Sequence, residues 1–132
     1  FASRRAQKTG GFVHILAPVP KQDFVAWGGV QATIEEEAKN RAEALVSSAA
    51  GTMFEESGKR PKISVRVGDA VKIIRTYFEE CPDIAALVLG AAAAGPPGPL
   101  VAHFAGHEAG TLPCPVMIVP GSLSIEDIDR LS

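Results

Sequence analysis

The sequence predicts an α/β domain with a mostly parallel sheet. Three observations carry this. Helix-like and strand-like segments alternate along the chain. One segment, Ile84 to Leu89, is continuously apolar, as a central strand covered on both faces must be. A third, from Thr33 onward, repeats apolar residues at helical spacing. No internal repeat or low-complexity linker breaks the pattern. The length of 132 residues suits one compact domain, read as residues 1–121, with a tail over 122–132.

In order, Phe1 to Lys8 reads as a helix end stopped by Thr9-Gly10-Gly11, where glycine takes a left-handed position. Phe12 to Ala17 is expected as a strand, ended by Pro18 and Pro20, which lack ladder donors. Val19 to Val30 reads as a long loop, with Phe24 and Trp27 as packing groups. Thr33 and Glu36 form a capping box. Behind it Ile34, Ala38, Ala42, Leu45, Ala49 and Met53 form one apolar stripe. Glu35–Lys39 and Glu37–Arg41 are favourably ordered pairs on a solvated helix start. Ile63 to Val67 alternates apolar and polar residues, as expected nearer a sheet edge.

Asp69 is the expected N-cap of a helix whose Val71, Ile74 and Phe78 share a face, and Pro82 blocks its continuation. Gly90 to Pro99 is a loop of Ala, Gly and Pro, and a helix starts near Leu100. Val116 to Val119 is the last strand, short and apolar, hence an expected edge. Ser124 and Asp127 mark the start of a final helix, with Ile128 and Leu131 free to pack.

Composition excludes several classes. Apolar residues make up 46% and charged residues 21%, too apolar for a disordered tail. The net charge of −2 gives no general attraction to nucleic acid or an anionic membrane. The longest apolar run, Ile84 to Ala94, falls well short of the roughly 20 residues of a membrane span. Phe1-Ala2-Ser3-Arg4-Arg5 leads into no signal-peptide core. Cys81 and Cys114 lie far apart without a CxxC, which fits two buried thiols in a reducing cytoplasm.

Three segments in this order, Val67-Gly68-Asp69-Ala70, Leu87-Val88-Leu89-Gly90 and Pro113-Cys114-Pro115-Val116-Met117-Ile118-Val119-Pro120, resemble the universal stress protein (UspA) family across essentially the whole chain. The GPGPL-like loop resembles that of single-domain bacterial members. The resemblance implies an open, five-stranded parallel sheet with helices on both faces, of the adenine-nucleotide-hydrolase type. It also implies a homodimer through the last strand, Val116, Met117, Ile118 and Val119. Only four strands can be found. The family's first strand, central in its sheet between the equivalents of Phe12–Ala17 and Ile84–Leu89, has no counterpart here. A sheet without its middle strand leaves ladder groups unpaired, which is costly. About twenty upstream residues, a strand plus a helix start, are therefore expected.

Nucleotide-binding members carry G-x2-G-x9-G-S/T after the fourth strand, where glycine amides and a helix N-terminus approach phosphate. From Gly90 the pattern meets Ala93, then His103 and Phe104. From Gly95 it meets Gly98 but then Glu108, with Gly110-Thr111 two residues late. Pro96, Pro97 and Pro99 remove three amides from the loop. The bland reading is a stiff connector with Pro99 opening a helix. The ordinary ATP site is not expected, although ATP or AMP in an altered cleft remains the alternative. In open parallel sheets ligands bind beyond the strands' carboxyl ends. That gives Ala17, Val19, Val67, Gly68, Gly90, Gly95 and Gly98 as pocket candidates, Ala17 and Val67 through the family's adenine contacts.

His103 and His107 lie i,i+4 on an expected helix beside Glu108, a spacing seen in metal sites. With no third ligand at suitable spacing, structural or surface histidines are the simpler reading, and a metal-dependent enzyme the weaker alternative. His14 is expected to pack or hydrogen-bond within the sheet, and Glu79-Glu80 to be exposed. Neither Ser47-Ser48 nor the two cysteines has the partners of an activated nucleophile, so no catalytic triad is read. The expected function is a dimeric regulatory or stress-response domain. It acts through unidentified protein partners, without nucleic acid, membrane or a required cofactor.

Overall fold

The computed structural model describes residues 1–21 and 30–132, with side chains of the second stretch from residue 34 onward. The expected loop with Phe24 and Trp27, and the side chain of Thr33, lie outside the described residues. The elements are α1 (Ala2–Thr9), β1 (His14–Val19), α2 (Val30–Ser57), β2 (Lys62–Val67), α3 (Ala70–Glu80), β3 (Leu87–Ala91), α4 (Pro99–Phe104), a 3-10 turn (Ala109–Thr111), β4 (Val116–Pro120) and α5 (Ile125–Leu131). The α/β class read from the sequence is the class observed.

Among the described residues the strands do not form one sheet. β1 pairs with β2 and β3 pairs with β4, both in parallel, as two separate two-stranded sheets. The single open sheet expected from the sequence is thus interrupted between β1 and β3.

Local chemistry explains most element ends. Gly10 closes α1 with φ 74°, a left-handed conformation that costs glycine little. Asp69 caps α3 by accepting from the amides of Val71 (2.9 Å) and Lys72 (3.3 Å). Ser124 caps α5 by accepting from the Asp127 amide at 3.1 Å. Pro99 occupies the start of α4, where its missing donor has no helical partner to lose.

Four expectations are corrected. Pro18 does not end β1 but lies inside it, opposite Arg66. The Lys62 amide donates to the Val13 carbonyl and the Gly68 amide to that of Val19. Odd-numbered residues of β1 therefore point their backbone groups at β2, and Pro18 points away, so no rung is lost. Second, α2 begins at Val30, which places Thr33 inside the helix rather than at its cap. Third, Leu45 is 73% exposed, while Val46 and Ala50 are buried, so the inward face is rotated from the expected stripe. Fourth, β3 starts at Leu87, not Ile84. Pro82 and Asp83 form a turn in which the Ile84 amide donates to the Cys81 carbonyl, and Ile84 packs on the core from outside the strand.

The helices cover both faces. α2 packs on β1 and β2, with α1 against α2. On the other face α3 packs on β1, and α4 packs on β3. The main core lies there: Ile74 and Phe78 from α3, Leu89 from β3, and Val101 and Phe104 from α4, with Leu16 of β1 against it. Phe104 is wholly buried. Among the described residues, no helix is long and apolar enough to cross a membrane.

Candidate functional site

The carboxyl ends of the strands carry the residues singled out from the sequence, but in two groups. Ala17 pairs with Val65 and Val19 with Val67, and the Gly68 amide donates to the Val19 carbonyl at 2.9 Å. Val19 is buried, and Val67 is exposed at the rim. This first group belongs to the β1–β2 half. Gly90, Gly95 and Gly98 belong to the β3–β4 half. Gly90 lies within β3, opposite Val119, while Gly95 and Gly98 turn the following loop with positive φ.

That loop folds on itself. The Ala92 amide donates to the Pro97 carbonyl at 3.1 Å. Gly121 comes in from beyond β4 and donates to the Ala91 carbonyl at 2.8 Å. A Cβ on Gly121 would lie 2.7 Å from the Ala91 oxygen, so this approach requires glycine. Two of the backbone groups at the end of β3 are thus already engaged within the chain. An open groove of about 420 Å³ lies elsewhere, between α1 and α5, lined by Arg4, Gln7, Glu56, Ile125, Glu126 and Asp129. None of the sequence-derived pocket residues lines it.

His103 and His107 do not share a helical face. α4 ends at Phe104, and His107 lies in the turn beyond, their ring centroids 6.5 Å apart. Gly106 sits where the chain leaves the helix, and a Cβ there would lie 2.7 Å from the Ala102 oxygen. Among the described residues no group of three His, Cys, Asp or Glu is arranged to hold a metal.

His103 instead joins a charged cluster. Its Nε2 lies 3.0 Å from Glu108 Oε2, close enough for an ion pair when the ring is protonated but not aligned as a hydrogen bond. Arg75 on α3 donates through Nε to the same oxygen at 2.5 Å, and its Nη2 lies 3.4 Å from Thr111 Oγ1. The Arg75 guanidinium holds the Glu108 carboxyl below its usual range; partial burial opposes this and His103 adds to it. The cluster ties the segment after α4 to α3.

A second network pins α3 to the other half. His14 Nδ1 lies 2.6 Å from the Tyr77 hydroxyl, so its hydrogen bond goes to helix α3 rather than staying within the sheet as read from the sequence. Arg66 of β2 lies over the Tyr77 ring at 5.1 Å and grips Glu80 through two nitrogens, at 2.5 and 2.8 Å. Glu80 is therefore paired, not merely exposed as read from the sequence. Arg66 draws its carboxyl below the usual range, and Glu80 in turn raises the guanidinium. Neither cluster has a sequence signature, since the partners are 33 and 14 residues apart. Both cysteines are free and only half-buried, and burial pushes the Cys114 thiol up, away from the reactive thiolate.

No protein-family model, curated protein or solved structure matches the chain.

Proposed function

We propose that the chain is a universal-stress-type regulatory domain that acts as a homodimer through protein partners and does not use the ordinary ATP site of that family. The observation that carries this reading is the loop after β3. Phosphate cradles need free backbone amides at a strand's carboxyl end. Here Ala92 spends its amide on Pro97, and Pro96, Pro97 and Pro99 have none to offer. The motif residues around β2–α3, β3 and β4 supply the family resemblance.

The dimer reading rests on β4. Among the described residues it pairs with β3 on one side only. The Leu87 amide donates to the Pro115 carbonyl, so Met117 and Val119 face β3 with their backbone groups and Ile118 faces outward. Ile118 is 41% exposed, an apolar residue on an open edge. Two such edges meeting across a two-fold axis would cover each other.

Light scattering on the purified protein tests this, together with the nucleotide content of the same sample. The expected result is twice the chain mass and no bound nucleotide. Ile118→Pro removes an outward donor without taking a β3 rung, so it should give a folded monomer. A parent that is monomeric at all concentrations, or that carries stoichiometric ATP, would overturn the reading.

A further inference from the structure

The amino ends of β1 and β2 carry a charged, aromatic surface. α2 ends at Ser57, and Gly58 turns the chain with φ 73°. Lys59-Arg60-Pro61-Lys62 follows, three cations in four residues of a chain whose net charge is −2. The segment enters β2 at Lys62, whose amide donates to the Val13 carbonyl at 3.1 Å.

Two aromatic rings stand in water beside it: Phe12 is 58% exposed and Phe54 47%. Arg60 connects them. Its guanidinium lies over the Phe54 ring, 5.9 Å from the centroid. With Phe12, Met53 and Lys59 it also lines a notch of about 20 Å³ between α1 and the end of α2. Lys59, Arg60 and Lys62 are exposed, and among the described residues none of them forms an ion pair. Glu80 feels the charge of Lys62 but is itself gripped by Arg66. Of the acids in the last turn of α2, Glu56 lines the groove beside Arg4, and Glu55 is exposed.

The segment is held in place by its own bonds. Ser57 Oγ donates to the Met53 carbonyl at 2.6 Å and accepts from the Lys59 amide at 3.1 Å. The Gly58 amide donates to the Phe54 carbonyl at 2.8 Å, and Pro61 is buried. A partner therefore meets cations whose backbone needs little further ordering. The dipole of α2 favours cations beyond its C-terminus, but gives no reason to leave two aromatic rings in water. Aromatic and arginine side chains are the usual anchors of protein interfaces.

We propose that this surface docks an acidic protein segment bearing apolar side chains. Its carboxylates meet Lys59, Arg60 and Lys62, and its apolar groups cover Phe12 and Phe54. This rests on the reading that the chain acts through protein partners, and it names the chemistry of one. The extent of the patch sets the partner class. A nucleic-acid strand or an anionic bilayer carries its charge past the patch, towards Glu55, Glu56, Glu126 and Asp129, where like charges oppose it. A short acidic segment ends within the patch.

Fluorescence anisotropy on the purified chain tests this. The probe is a short labelled peptide of Glu, Asp, Leu and Phe. The controls are the same peptide with Lys for its acids, the acidic peptide with Ser for Leu and Phe, and single-stranded oligothymidylate. The probe should bind more tightly than any control and weaken as salt is raised. Lys59→Glu with Arg60→Glu should weaken it by about tenfold or more. Arg41→Glu with Lys72→Glu changes the net charge equally at exposed positions elsewhere, and should weaken it less than about twofold. Phe12→Ser with Phe54→Ser should also cost about tenfold, and decides the question if the Lys59 and Arg60 reversal does not fold. A probe that does not bind, equal weakening by the two charge-reversal pairs, or tighter binding of oligothymidylate would each overturn the proposal. Failure of the functional reading shows instead in light scattering and nucleotide content, so the two failures are told apart.

Discussion

The longest helix and one of the shortest make opposite use of their residues. α2 runs from Val30 to Ser57, yet Leu45 and Phe54 stand exposed on it, and Val46 and Ala50 are its buried residues. α4 has six residues, and two of them, Val101 and Phe104, are at the centre of the main core. Helical period measures a face, not what covers it. α2 covers the β1–β2 half, two strands with an unpaired inner edge, while α4 sits where β3 and α3 converge. Burial here follows the convergence of elements rather than the length of any one.

The contrast can be broken by mutation. Phe104→Ala should cost about 3–5 kcal/mol, since it empties a fully enclosed site that the surrounding core cannot refill. Chemical denaturation with an unchanged slope would check this; a loss below about 1 kcal/mol would mean the α4 face is loosely packed.

Acid sharpens the comparison next, because each half is tied to α3 by a carboxylate. Arg75 holds Glu108 and Arg66 holds Glu80 below the ordinary value of 4.5 in the folded chain. Their contribution is therefore present above about pH 4.5, and it is lost as pH falls through the lower folded values. Glu108→Gln should reduce stability above that window and flatten its fall below it. Thermal unfolding from pH 3 to pH 7 reads the change. Glu80 is exposed and Glu108 is only half-buried, so solvent screens both pairs and the effect is smaller than that of Phe104→Ala. An unchanged acid slope would show that the Arg75 pair does not hold α4 to α3.

The smallest expected effect is on α2. Leu45→Ser should stay within about 0.5 kcal/mol, since the side chain stands 73% exposed. A larger loss would show that something covers this face.

The sequence displays what is local. The Asp69 and Ser124 caps, the Gly10 stop and the Pro99 start are all decided within a few residues, and each is where the sequence places it. Strand ends are less legible. Pro18 is tolerated in β1 because of the direction its backbone faces, which depends on the register against β2. β3 slips three residues because the Pro82 turn keeps Ile84 out of the strand. The candidate site was legible only as a location. The strand ends carry the named residues, but Ala17, Val19, Val67 and Gly68 fall to one half and Gly90, Gly95 and Gly98 to the other. The Arg75–Glu108–His103 and Arg66–Glu80 clusters were not legible, because tertiary packing alone brings those partners together.

The most direct test of the functional reading is thermal unfolding of the purified protein in buffer, AMP and ATP. The account predicts the same midpoint in all three, because the loop after β3 closes on its own amide and offers no cradle for phosphate. A dose-dependent rise would contradict it. Such a rise would follow RT ln(1 + [L]/Kd), about 2.7 kcal/mol at a hundredfold excess over Kd. It would mean that the prolines between Gly95 and Pro99 shape a nucleotide site rather than close one.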